Sequence, residues 1–269
     1  MPILQRRLEA LTQKRWFYLV LLALFFLPSY SSLAYDPRRT SDLITAVLSH
    51  PLIYAIPSPM PVFKILPALL VLGLVIWGDR ITRLFDAYVA MTILLLAFLQ
   101  NMAMTQEFGF AAIVGNVVVY SFVAFVWSVD AILKVNVLTF RRLPLWRYWV
   151  VPVALLAFWF PVNTETMVPD FSASQLLTNS AGLALCMMLP TYLAVLALCY
   201  PTINRPVMQI TAFAGVVTAG FNILQWFWLT SYTWLGILHL PLLTISLYSL
   251  ILSLKQESAC VSGHDQSRA

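Results

Sequence analysis

The chain has 269 residues, 61% of them hydrophobic and 10% charged, with a formal net charge of +5 and a mean hydropathy of +0.83. A water-soluble domain carries about 25% charged and about 45–50% apolar residues, so water is excluded as the solvent for most of this surface and lipid takes its place. The basic residues sit in short segments between apolar runs, a placement that reads as membrane topology and anionic-lipid contact and excludes a nucleic-acid surface.

Eight apolar runs approach or exceed the length that crosses about 30 Å of hydrocarbon at about 1.5 Å per residue. They cover residues 16–34, 63–78, 85–104, 110–134, 148–163, 176–200, 207–229 and 233–254. The second and fifth are short and need snorkelling flanks or local thinning of the bilayer. The expected fold is therefore an all-α integral membrane protein, a polytopic bundle of about eight transmembrane helices. Residues 1–15 form a cytoplasmic N-terminal segment, 16–254 the transmembrane domain, and 255–269 a cytoplasmic tail expected to be disordered.

Orientation follows from Lys and Arg. With the N-terminus inside, Arg6, Arg7, Lys14, Arg15, Arg80, Arg83, Lys134, Arg141, Arg142, Arg147, Arg205, Lys255 and Arg268 fall on the cytoplasmic side, and Arg38, Arg39 and Lys64 outside. That bias predicts a bacterial inner (plasma) membrane protein with both termini cytoplasmic. A cleaved signal peptide is the competing reading of residues 1–34, with a basic segment Arg6–Arg15, an apolar core Phe17–Leu27, and Ser32 and Ala34 before a cut at Tyr35. The apolar stretch Ser41–Ile56 is too short to cross; it is expected on the outer interface, as a re-entrant piece, or as a plain loop.

The two halves share a faint pattern that fits a parallel four-plus-four repeat. Arg15-Trp16 and Arg147-Tyr148 each open a span; Pro28 and Pro161 precede Ser41–Thr45 and Ser174–Thr178 by the same interval; Leu66-Pro67 matches Leu189-Pro190.

Helical projection at 100° per residue gathers the polar side chains onto faces. Thr211, Gly215, Thr218, Ala219 and Asn222 share a face of the seventh span, and Asn116, Tyr120, Val123, Trp127 and Asp130 a face of the fourth. Asn101, Asn116, Asn179, Asn222 and His239 come from five different spans at one depth in the outer half. Polar groups there must find partners or line water. They are the expected substrate-binding residues of an outward-facing polar cavity, and interhelical hydrogen bonding is the structural alternative. Pro190, Gly220 and Pro241 mark expected helix breaks nearby.

Two acids fall inside spans, but each has a basic residue at helical spacing, Lys134 four residues after Asp130 and Arg83 three before Asp86. Both read as ion pairs snorkelling to the inner interface, leaving no buried acid to couple protons or Na⁺.

No cofactor or metal is expected. Cys186, Met187 and Met188 with Met102 and Met104 offer soft ligands for Cu(I), yet Met in apolar helices is ordinary packing. Haem held by two intramembrane histidines is disfavoured because only His239 lies in a span, with His50 and His264 in loop and tail. Zinc-protease, phosphate-loop and nucleophile-elbow motifs are missing, and three cysteines, Cys186, Cys199 and Cys260, make no disulfide framework.

The expected partners are the lipid bilayer, a small polar solute and a membrane protein partner. The first functional reading is a small-solute permease or channel-like module. A non-catalytic membrane subunit or assembly factor is the second. The third is a lipid-modifying enzyme using Glu165, Asp170 and His239 at the outer interface.

Overall fold

The computed structural model describes the whole chain except residues 1–2, 56–59, 141, 164–165, 167, 230–232 and 266–269. Apolar sequence in lipid has to satisfy its backbone internally, and helix is the local way to do so. The helices are α1 (Ile3–Thr12), α2 (Arg15–Phe25), α3 (Thr40–Ser49), α4 (Met60–Trp77), α5 (Thr82–Leu99), α6 (Val114–Leu133), α7 (Val150–Trp159), α8 (Gln175–Thr178), α9 (Leu185–Cys199), α10 (Arg205–Leu224) and α11 (Thr233–Asp265). Three short strands, β1 (Tyr30–Ser31), β2 (Met102–Thr105) and β3 (Gly109–Ala112), and several short 3-10 and wide turns lie between the helices.

Four stretches are long and apolar enough to cross a membrane: Pro61–Leu99, Val114–Leu133, Arg205–Trp228 and Thr233–Leu254. A fifth forms if Gln175–Leu183 and Leu185–Cys199, bent by 99°, count as one broken span. The fold is thus an all-helical bundle of membrane type.

Contacts at two opposite ends fix the direction of each helix. At one end, here called the sheet end, Lys64 at the start of α4 donates to the Phe158 carbonyl at the close of α7, and Trp234 at the start of α11 donates to the Pro161 carbonyl. Gln100, just after α5, accepts from the Leu185 amide that opens α9. At the other end, the α1 end, Lys134 pairs with Asp79 at 2.9 Å, Arg147 donates to the Ala197 carbonyl near the end of α9, and Arg205 donates to the Ser253 carbonyl of α11. Successive long helices therefore run in opposite directions, and Gly78 at φ 56 turns the chain between α4 and α5.

The sheet end departs from uninterrupted spans. Residues 102–105 and 109–112, expected inside the third and fourth spans, are an antiparallel hairpin that also pairs with β1, in the order β1-β3-β2. Gly109 supplies the positive φ of 62 at the turn. The Ser41–Ile56 stretch contributes α3, whose Leu43 and Val47 pack on Ala103, Phe108, Ala111 and Ile113 in a small separate core. Arg39 ties this cap together through Asp42 at 3.0 Å and Glu107 at 2.6 Å, and those carboxylates raise the guanidinium pKa.

Pro190, Gly220 and Pro241 do not break their helices; they lie inside α9, α10 and α11. The breaks fall instead at Asn179–Ala184, ahead of α9, and at the wide turn Gln225–Leu229 after α10. α11 continues through most of the expected tail, to Asp265.

The main core lies between α5, α6, α9, α10 and α11. Two polar pairs cross it between helices: Trp127 Nε1 donates to Thr211 Oγ1 at 2.9 Å, and the Tyr120 and Thr218 hydroxyls lie 2.5 Å apart. Gly215 faces α11 and α9: an added Cβ would come 2.3 Å from Ser246 Oγ of α11 and 3.3 Å from Leu189 Cδ2 of α9. Gly215→Leu is expected to destabilise by about 1–3 kcal/mol, read from unfolding in detergent; parent-like melting would show that this seam is open.

Candidate functional site

The α1 end holds a polar network built from segments that leave the helices early. α6 stops at Lys134, whose left-handed conformation (φ 52) turns the chain while its amide still bonds the Asp130 carbonyl. The turn brings the Asn136 amide back onto the Asp130 carboxyl group, 3.3 Å from both oxygens. Asn136 then works in two further directions: Nδ2 donates to Asp86 Oδ1 of α5 at 3.3 Å, and Oδ1 accepts from the Asn204 amide at 2.6 Å. Asn204 is the residue preceding α10, where Arg205-Pro206 open the helix with a proline in its first turn. Its Nδ2 donates to Asp130 Oδ1 at 2.6 Å and its amide group exchanges hydrogen bonds with Gln5 of α1.

Gln5, Asp86, Asp130, Asn136 and Asn204 are all buried. The chain of bonds joins α1, α5, α6 and α10 and ends at a cavity of about 310 Å³ between α1 and the start of α10. Gln5, Glu9, Thr12 and Gln13 form one wall, and Val135, Pro201, Ile203, Asn204, Arg205, Pro206 and Gln209 the other. The volume is at the lower end of the range for small-molecule sites. Gln209 is only 4% exposed, yet its amide has no hydrogen-bond partner among the described residues, so both its donor and its acceptor are open to the cavity.

This geometry corrects the sequence reading of the two acids. Lys134 does not pair with Asp130, because the helix ends at Lys134 and its side chain swings to Asp79. Arg83 is exposed and donates to the Ile132 carbonyl, leaving Asp86 to Asn136. Helical spacing predicts an ion pair only where both residues stay on one continuous helix. The polar residues of the connecting segments, Asn136 and Asn204, were the available signal, and they lie outside any helical projection.

The five residues expected at the outer half lie toward the sheet end in three arrangements. Asn101 and Asn116 meet: Asn116 Nδ2 donates to Asn101 Oδ1 at 2.8 Å, while Asn101 Nδ2 caps the Leu96 and Ala97 carbonyls at the end of α5. Asn179 caps α7 from outside, donating to the Trp159 and Phe160 carbonyls and accepting from the Ala181 amide. Asn222 donates to the Thr218 carbonyl of its own helix. His239 bonds the Leu235 carbonyl and stacks on Trp226. Thus one pair forms directly, Asn179 reaches across to α7, and Asn222 and His239 bond carbonyls of their own helices.

Asp170 is held by Gln175 Nε2 at 2.8 Å and the Ser172 amide at 3.0 Å, which lower its pKa below the usual carboxylate value. Glu165 lies outside the described residues. Among the described residues no cluster of three or more His, Cys, Asp or Glu has the geometry to hold a metal ion.

No family model, curated protein or solved structure matches the chain.

Proposed function

We propose that the protein is a small-solute permease or channel-like module of an inner (plasma) membrane, with eight crossings, both termini cytoplasmic, and the α1 end inside. Support for eight crossings comes from α2, α4, α5, α6, α7, α9, α10 and α11, which alternate in direction between the two ends. Arg6, Arg7, Arg80, Arg83, Lys134, Arg147 and Arg205 lie at or beside the α1 end, against Arg38, Arg39 and Lys64 at the other, which fits the positive-inside rule. The order of a short helix, a proline, a second short helix and three long helices in α2–α6 and again in α7–α11 favours the four-plus-four repeat.

The observation that carries the solute reading is the unpartnered Gln209 amide on the cavity wall. Its donor and acceptor face the cavity, where a polar solute entering from the cytoplasm would take the place of water on both. The outer amides Asn101, Asn116, Asn179 and Asn222 and the His239 imidazole form the other end of the route, closed here by their own hydrogen bonds while the inner cavity is open.

Cysteine labelling tests this. In a chain with Cys186, Cys199 and Cys260 replaced by Ala or Ser, Gln209→Cys is expected to react with a small charged, membrane-impermeant thiol reagent from the inner face, and Leu224→Cys, on the lipid side of α10, is not. Absence of reaction at Gln209→Cys in folded protein sinks the cavity reading and moves the non-catalytic subunit into first place. Orientation is checked separately: a reporter active only outside is expected to signal when fused after Glu107 or Asp170, and to stay silent after Arg142 or Lys255. Signal after Lys255 would require an odd number of crossings.

A further inference from the structure

Asp86 and Asp130 come from different helices and meet at Asn136, whose Nδ2 donates to Asp86 and whose backbone amide donates to Asp130, so that the two carboxyl groups interact. Both side chains are fully buried. Asp86 Oδ1 accepts from Asn136, but Asp86 Oδ2 meets no N–H or O–H donor among the described residues. The groups around the pair leave its charge uncompensated. On α5, Arg83 points to the Ile132 carbonyl; beyond the α6 terminus, Lys134 is engaged by Asp79. On α10, Arg205 holds the Ser253 carbonyl, and Glu9 of α1 is separated from the pair by Gln5 and Asn204. From α9 the titratable group packed on α5 is Tyr192, against the Phe85 ring.

Two ionised carboxylates at this separation in a dry interior repel strongly, and a proton between them converts that repulsion into a hydrogen bond. Asn204 and Asn136 donate to Asp130 and so favour the charged form there, while Asp86 Oδ2, which accepts from no donor, is the oxygen left free to carry a hydrogen. We propose that Asp86 and Asp130 form a proton-binding site in which Asp86 carries one exchangeable proton donated to the Asp130 carboxylate. The proton comes from water in the inner cavity and returns to it past Asn204, which donates to Asp130, and Gln5, which bonds Asn204; both line the cavity. The site stands whether or not a solute binds at Gln209, because nothing in it depends on that amide.

Infrared spectroscopy of the purified full-length protein reads the proton directly. The folded parent is expected to show a protonated-carboxyl C=O band that shifts in D₂O and shifts again when aspartate is labelled with ¹³C at the side-chain carboxyl. Asp86→Asn is expected to abolish it. Because that variant could fail to fold, the isotope shift in the parent protein is the independent arm. A folded parent without an aspartate-sensitive band overturns the proposal, as does a band that survives in folded Asp86→Asn. If the band is missing and sodium chloride, against choline chloride, raises the melting temperature of the parent but not of Asp86→Asn, a metal cation occupies the place of the proton and the proposal is wrong.

Discussion

Asn136→Ala is expected to destabilise the folded protein by about 2–6 kcal/mol, since it strands two buried groups at about 1–3 kcal/mol each. Asp86 Oδ1 loses its donor and the Asn204 amide loses its acceptor, and neither has a second partner at hand. Asn204 is also the point where α1 is anchored, through Gln5 at 3.0 Å, so the loss spreads to the wall of the cavity. Detergent-solubilised parent and variant, unfolded side by side, give the comparison. A change below about 0.5 kcal/mol, typical of an uninvolved surface position, would mean that water already replaces Asn136 and that the network is solvated. Asn136→Asp is a sharper contrast: it keeps an acceptor for the Asn204 amide but removes the donor to Asp86 and adds a third carboxyl group beside the pair, so it is expected to cost more than Ala.

The membrane character of the fold was legible because it rests on composition and run length, which local sequence carries in full. The ends of the runs were not. Tyr30–Ser31, Met102–Thr105 and Gly109–Ala112 are apolar enough to pass as helix, and only pairing between distant segments makes them a sheet. One signal was present, Gly109 after Glu107-Phe108, a turn glycine within a short connection. The bend before α9 holds Gly182, but a single glycine in an apolar run is also tolerated within a helix, and Asn179 reads equally well as an intramembrane amide on a continuous helix. Its actual partners, the free carbonyls at the end of α7, are about twenty residues earlier in the chain.

The polar sites divide the same way. The face Asn116, Tyr120, Val123, Trp127 and Asp130 could be projected because α6 is regular over its length, and four of those five side chains are buried. The carboxyl pair was hidden because it depends on where α6 stops. A helix continuing past Lys134 would have placed the ammonium beside Asp130; the left-handed residue sends it to Asp79 and hands Asp130 to Asn136 and Asn204. One backbone dihedral thus separates an inert surface ion pair from a buried acid pair beside a cavity.

Among the described glycines, the one whose added Cβ would come nearest to another segment's backbone is Gly115, in the first turn of α6, and it offers a second large effect. An added Cβ would lie 2.5 Å from the Phe25 carbonyl oxygen, 2.7 Å from that of Leu24 and 2.8 Å from the Phe25 carbonyl carbon. All three are main-chain atoms at the end of α2, so no rotamer change relieves the clash and the helix itself has to withdraw. Withdrawal pulls Phe25 off Tyr120 and Phe221, whose ring centroids lie 6.2 Å and 6.4 Å away, and strains the β1–β3 pairing that follows. Gly115→Leu is therefore expected to destabilise by about 3 kcal/mol or more, at the upper end of overpacking effects. The helix-propensity gain from removing a glycine, about 1 kcal/mol at most, offsets only part of this. Gly220 in α10 is the matched control: nothing lies within 4 Å of a Cβ there, so Gly220→Leu is expected to melt within a few degrees of the parent. Both variants are to be measured in the same detergent, by thermal unfolding and by the fraction recovered as a single species. If Gly115→Leu melts with the parent, α2 does not pack on the start of α6, and the first crossing has to be placed elsewhere in the bundle.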